Sequence, residues 1–238
     1  LITQRDAVTH HEATVASRFD ETALRFRTGL SDDDPRLAAI VSALPSLEGL
    51  RLLDLGCGKG RFSRRLQAKG ARVTGLDISA SMLEAAEGFD RVRGSARRLP
   101  FAGSSFDAVV AVEVFEHLAP EGIDPVCQEV SRVLAPGGTF VLIDKNLHAL
   151  DAQRPWLPKV AIKWLDQKRG RWMYRPEDGV RERWFRPAEL ERRLRQTFEE
   201  VRVAHLLSNF ERDRWLFRHL PATRLFVRWV ARSAGGTV

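Results

Sequence analysis

Between Arg51 and Asp144 the chain alternates short apolar runs with stretches of helical periodicity. "RLLDLG" (51–56) reads as a buried strand, and residues 59–69 read as a helix. "ARVTGLD" (71–77) is a second strand, followed by a helix over 79–87 that Ser79 can cap. "FDRVRG" (89–94) gives a short third strand and "FDAVVAVEV" (106–114) a fourth. A helix across 121–134, ended by the Pro and Gly of "APGG" (135–138), leads into a fifth, "GGTFVLIDK" (137–145). Strands alternating with helices predict a mostly parallel sheet covered on both faces.

The flanks are less regular. Residues 10–44 read as polar and helical, a lid over whatever the core binds. "FRPAELERRLRQTF" (185–198) predicts a helix starting near Pro187, and "EEVRVAHLL" (199–207) a sixth strand. In "RPWLPKVAIKWLDQKRGRWMY" (154–174) a helical wheel gathers Trp156, Leu157, Val160, Ala161, Trp164 and Leu165 on one half-circle. Lys159, Lys163 and Asp166 fall opposite, with Ile162 the exception. After Pro221 the same arrangement recurs, with Leu225, Phe226, Trp229 and Val230 opposed to Arg224, Arg228 and Arg232. Two basic amphipathic helices are thus expected. Their apolar faces either roof a substrate pocket or rest on an anionic membrane.

Charge sharpens that choice. Residues 1–150 hold 18 Lys and Arg against 20 Asp and Glu, and residues 151–238 hold 20 against 11. The basic excess lies wholly in the last third, where it suits anionic lipid, an acidic substrate or nucleic acid. Nucleic acid is the least favoured partner, since no RNA-binding appendage is recognisable. No window approaches 18 uncharged apolar residues, so no membrane span is expected, and "LITQRDAVTH" has no leader pattern. Two cysteines, Cys57 and Cys127, without metal-type spacing fit a cytoplasmic protein, peripheral on the inner face of the membrane if the basic helices bind lipid.

"LLDLGCGKG" (52–60) carries the most information. A strand ends in Asp54, and Gly56, Gly58 and Gly60 turn the chain toward a helix, leaving backbone open to a ligand at the strand's carboxyl end. Asp54 before the loop would repel a pyrophosphate and suits an ammonium group. Position 61 is Arg, so the Gly-x-Gly-x-x-Gly of a dinucleotide-dependent oxidoreductase is absent. Asp77, at the end of the second strand, can take both hydroxyls of a ribose.

"LLDLGCGKG", "GLDISASML", "RRLPFAGSSFDAVVAVEVFEHL" and "EVSRVLAPGGTFVL" occur in that order over about residues 50–145. In this the chain resembles the class I S-adenosylmethionine-dependent methyltransferases. The resemblance implies an α/β fold: a Rossmann-like doubly wound sheet in one domain, with helical lids over 1–48 and 146–187, a cofactor core over 49–145 and a tail over 188–238. It places Asp54, Gly56 and Gly58 on the methionine part of the cofactor and Asp77 on its ribose. Ile78 and Met82 then flank the adenine, and Val112 closes the pocket. Where many relatives have Gly-Asp-Ala, whose Asp meets the adenine amino group, this chain has Gly94-Ser95-Ala96. Ser95 or the Ala96 backbone is left to make that contact. A final antiparallel strand, usual in the family, either begins in "RSAGGTV" (232–238) or is replaced by the second basic helix.

"EVFEHL" sets Glu113, Glu116 and His117 beyond the fourth strand, near the expected methyl group. This trio is similar to that of ubiquinone-biosynthesis O-methyltransferases, where it is associated with a divalent metal; a metal there would lower the pKa of an acceptor hydroxyl. Without metal, Glu113 and His117 are the catalytic candidates, with His148 a second candidate base. The implied activity is methyl transfer from S-adenosyl-L-methionine to a small hydrophobic or lipid-like acceptor, on oxygen first. N- or C-methylation of a polar metabolite and a silent cofactor-binding regulator are the alternatives.

Overall fold

A computed structural model of the chain describes residues 4–169, 173, 174 and 176–235. Its centre is a seven-stranded sheet: β1 (Arg51–Leu55), β2 (Arg72–Asp77), β3 (Asp90–Arg93), β4 (Phe106–Val112), β5 (Leu134–Lys145), β6 (Glu200–Leu206) and β7 (Phe226–Arg232). The order is β3-β2-β1-β4-β5-β7-β6, with β1 to β5 parallel and β7 antiparallel to both its neighbours. The crossovers reverse direction between β1 and β4, which opens a crevice at the carboxyl ends of those strands.

Eight α-helices accompany the sheet: α1 (Gln4–Thr22), α2 (Pro35–Ala43), α3 (Arg61–Gln67), α4 (Ala80–Glu84), α5 (Ile123–Val133), α6 (Lys159–Lys168), α7 (Pro187–Leu194) and α8 (Trp215–His219), counted over the described residues. Alternation along the strands divides the core. Val109, Ala111, Phe140 and Leu142 pack on the face covered by α5 and α7. Leu52, Ala108, Val110, Val141 and Ile143 pack on the face covered by α2 and α3. α2 therefore belongs to the core, so the lid expected over residues 10–44 reduces to α1 and the segment after it. The expected turn at 135–138 falls where β4–β5 pairing skips from Phe106–Leu134 to Ala108–Thr139.

The second basic helix is not formed. Residues 226–232 are β7, which is the family's final strand, arriving earlier than "RSAGGTV"; residues 236–238 of that stretch lie outside the described residues. Val227, Trp229 and Ala231 alternate into the core, and the indole N–H of Trp229 donates to the Pro187 carbonyl at 3.2 Å. Arg224, Arg228 and Arg232 are four apart, a spacing that shares a face in a helix and in a strand alike. β-branched and aromatic neighbours, together with the open edge of β5, decide for the strand.

α6 forms, but with its faces reversed from the pocket-roof expectation. Trp156, Trp164 and Leu165 are 77%, 49% and 40% exposed, while Ile162 and Lys163 are half-buried. The Lys168 ammonium lies 4.0 Å from the centre of the Trp164 ring. Residues 170–172 of the same sequence stretch lie outside the described residues. No helix among the described residues is long and apolar enough to cross a membrane. Cys57 and Cys127 are buried and free.

Candidate active site

The crevice holds a cavity of about 450 Å³. Its floor is the loop after β1. Gly56 has φ 71°, and a Cβ there would meet the Val114 side chain at 2.5 Å. Gly58 has φ 52° with open space above it, and its N–H donates to the Asp77 carboxylate at 2.8 Å. The Ser79 N–H donates to the other Asp77 oxygen at 2.9 Å. Asp77 is thereby fixed at the end of β2; burial raises its pKa, and the three amides of Ser79, Gly58 and Ile78 oppose that rise. Ser79 caps α4 by accepting from the Met82 N–H at 3.1 Å, as its position predicts. Asp54 is buried and receives the Ser63 hydroxyl at 2.5 Å. Burial, with the nearby Asp77 charge, pushes its pKa up to about 6.

The far end of the cavity is built around Lys145, the last residue of β5. Its ammonium is buried, 2.6 Å from Glu116 Oε1, 2.6 Å from Glu182 Oε1 and 3.3 Å from Glu113 Oε2. Burial opposes its charge, but the three carboxylates outweigh that and hold its pKa well above the usual lysine value. Burial would likewise raise Glu113 and Glu182, yet Lys145 together with Arg36 and Arg61 holds Glu113 at about 2, and Lys145 with Lys163 holds Glu182 at about 2. Glu113 has φ 58°, rare for a residue with a Cβ, and its carboxylate is bound by Arg36 of α2. Behind the cluster, burial and the neighbouring Glu116 raise the pKa of Asp144 well above the usual carboxylate value. His117 has Glu116 Oε1 3.3 Å from Nε2 and the Tyr174 hydroxyl 2.9 Å from Nδ1.

Of the residues expected to hold cofactor, Asp54, Gly56, Gly58, Asp77, Ile78, Met82, Ala96 and Val112 line this one cavity, and Ser95 does not. Glu113, Glu116 and His117 line its far end. His148 is exposed and outside the cavity, so the structure does not bring it to the other candidates. No residue of α6 lines the cavity; among the described residues of the expected lid over 146–187, Met173 and Glu182 do. The Glu113, Glu116 and His117 trio does not fit a divalent metal. The Lys145 ammonium already stands between the two carboxylates, Arg36 holds Glu113, and no group of three metal-ligating side chains is found among the described residues.

Comparison with known proteins agrees with this geometry. A methyltransferase-domain family profile matches residues 53–142. The chain is 32% identical over 180 residues to a ubiquinone biosynthesis O-methyltransferase of Agrobacterium fabrum, covering 71% of this chain and 67% of that one. The chain belongs to the S-adenosylmethionine-dependent methyltransferases. A fatty-acid O-methyltransferase of Mycolicibacterium smegmatis is 38% identical to this methyltransferase over 111 residues, covering 43% and 40% of the two chains. A solved methyltransferase from Mesorhizobium loti has the same fold, with TM-score 0.63 and 23% identity over 84% of this chain and 99% of that one.

Several site residues of this methyltransferase carried no sequence signal. Lys145 reads as the polar end of a strand, and Glu182 as one charge among many in a loop. Arg36, Tyr174 and Glu12 lie far in sequence from the glycine loop. Tertiary folding alone assembles them.

Proposed function

We propose that this enzyme methylates an oxygen of a small hydrophobic acceptor, without a metal. The observation that carries the reading is the ion cluster at one end of the cavity, where Lys145 stands between Glu113 and Glu116 in the place a metal would take and His117 lines the wall along with Val15, Phe19, Phe26 and Met173. S-adenosylmethionine supplies a methyl group already activated on sulfonium, so the chain's own task is alignment and handling of the acceptor's proton. Asp54 and Gly58 hold the amino-acid part of the cofactor, and Asp77 the ribose. The three carboxylates around Lys145 neutralise its charge, so the acceptor oxygen is activated by removal of its proton. His117 lines the same space and takes the proton on Nδ1 in exchange for the Tyr174 hydrogen bond, with Glu116 against its Nε2 to stabilise the imidazolium. Glu113 is held too acidic to act as a base; it positions Lys145, Arg36 and Arg61. The names of the two sequence relatives, both O-methyltransferases and one acting on fatty acid, support oxygen as the target. Labelled methyl transfer to a panel of phenols, fatty acids and amines tests this. Label on oxygen, unchanged by chelator, is expected; transfer to amines alone, or loss of turnover on chelation, overturns it.

The outward tryptophans favour peripheral membrane contact as an accompanying property. Trp156 and Trp164 sit beside Lys168 and Arg154. Leu150, bridged to Pro158, also donates its N–H to the Thr223 carbonyl, which ties this segment to the turn after α8; Trp215 at the start of α8 and Leu220 at its end are exposed. Aromatic and basic side chains on one surface suit an anionic lipid interface. Co-sedimentation with vesicles containing phosphatidylglycerol at low salt is expected to fall in a Trp156→Ser, Trp164→Ser double variant; no sedimentation of the parent protein ends the idea.

A further inference from the structure

The residue expected to meet the adenine is turned away from it. Ser95 donates its hydroxyl to Glu12 Oε1 at 2.7 Å and accepts the Arg97 N–H at 3.1 Å. Glu12 comes from α1, 83 residues earlier in the chain, and its carboxylate, not the Ser95 side chain, lines the cavity. The cavity lining includes Ile78 and Met82, which follow β2, and Leu118 and Ala119, which follow β4. Glu12 stands at its rim with about a fifth of its side chain exposed, and the Arg97 guanidinium is a loose partner at 3.8 Å.

A carboxylate beside such apolar side chains selects for a flat heteroaromatic ring that carries a hydrogen-bond donor. A carboxylate only accepts, so an exocyclic amine gains a charge-assisted hydrogen bond there, whereas an oxo group at the same ring position is repelled. Given that the cavity binds the methyl donor, we infer that Glu12 reads the 6-amino group of its adenine, supplying from α1 the carboxylate that the segment after β3 lacks. Ser95 is the positioning residue, holding the Glu12 carboxylate in place through its hydroxyl. Recognition of the base is thereby moved onto the helix that covers the cavity. α1 is tied down around the same end, since Asp20 accepts the Ser79 hydroxyl at 2.5 Å and the Ser81 N–H at 3.0 Å.

The test is a cycle of ligand against residue, read by isothermal titration. S-adenosylhomocysteine is compared with S-inosylhomocysteine, its 6-oxo analogue, on the parent protein and on Glu12→Ala. The parent should prefer the amino ligand by about ten- to a hundredfold, the range of a hydrogen bond to a charged group. In Glu12→Ala that preference should shrink to within about threefold, chiefly through weaker binding of the amino ligand. Ser95→Ala should give an intermediate preference. A variant that loses affinity equally for both ligands gives Glu12 a merely structural role and overturns the inference. If the parent binds neither ligand, the donor-site reading fails first and the inference falls with it. Circular dichroism of each variant separates either result from a failure to fold.

Discussion

Lys145→Met removes an ammonium and leaves a side chain of similar length among Glu113, Glu116 and Glu182. All three carboxylates lie within 3.3 Å of the ammonium, and Glu116 and Glu182 have only 1% and 5% of their side chains exposed. Breaking a buried pair by deleting one partner costs about 3–5 kcal/mol, because the other charge stays buried without compensation. The pH dependence identifies the cause. In the parent, Glu113 and Glu182 are held near 2 against an ordinary value of 4.5, so they stabilise the fold above pH 4.5 and lose that contribution as pH falls toward 2. In the variant, Lys145 no longer opposes burial, and the same carboxyls shift upward. Their penalty is then greatest at high pH and is relieved as they take up protons. Urea unfolding followed by tryptophan fluorescence at pH 8 and pH 5 should show a deficit that narrows at pH 5. A loss below about 1 kcal/mol, or a deficit equal at both pH values, would refute the account.

Asp77→Ala should weaken S-adenosylhomocysteine binding by about 1.5–3 kcal/mol, the worth of hydrogen bonds to a charged group, as read by titration calorimetry; undiminished affinity would remove Asp77 from the ribose. Because burial holds the Asp54 pKa at about 6 and a cationic ligand favours its ionised form, affinity should be flat above pH 7 and fall by about tenfold per pH unit below 6. An affinity unchanged between pH 5 and 8 would dissociate Asp54 from the ligand's ammonium. Trp229→Ala, which empties a fully buried site on β7, should cost about 3–5 kcal/mol in chemical denaturation. A loss under 1 kcal/mol would mean that β7 is not integral to the core.

The sequence exposes whatever is encoded by neighbours in the chain. Gly56, Gly58 and Asp77 were legible because a strand, a glycine turn and a second strand recur at short spacing, and the cavity gathers them as expected. Glu113 and Glu116 were legible as neighbours beyond the fourth strand but not as partners of Lys145, because that cation comes from the end of β5. Glu12 was illegible for the same reason in stronger form: its partner Ser95 lies 83 residues away. The errors in the basic tail have another origin. An arginine every four residues cannot distinguish the two periods, and only strand pairing supplies the missing information. Trp156, just before α6, and Trp164 within it are both exposed, and a wheel that groups them does not say which way they look.

α1 is joined to the rest of the molecule in an unusual manner. Among its described side chains Val15 alone is buried, while Glu12, Arg18 and Asp20 each reach a different partner across the cavity, at Ser95, Asp178 and Ser79. A helix held by polar ties gives up little apolar contact when it lifts, so its opening free energy lies far below that of the sheet. Charged ties also weaken with ionic strength. Amide exchange along residues 9–22 should therefore quicken with added salt while the core strands stay protected.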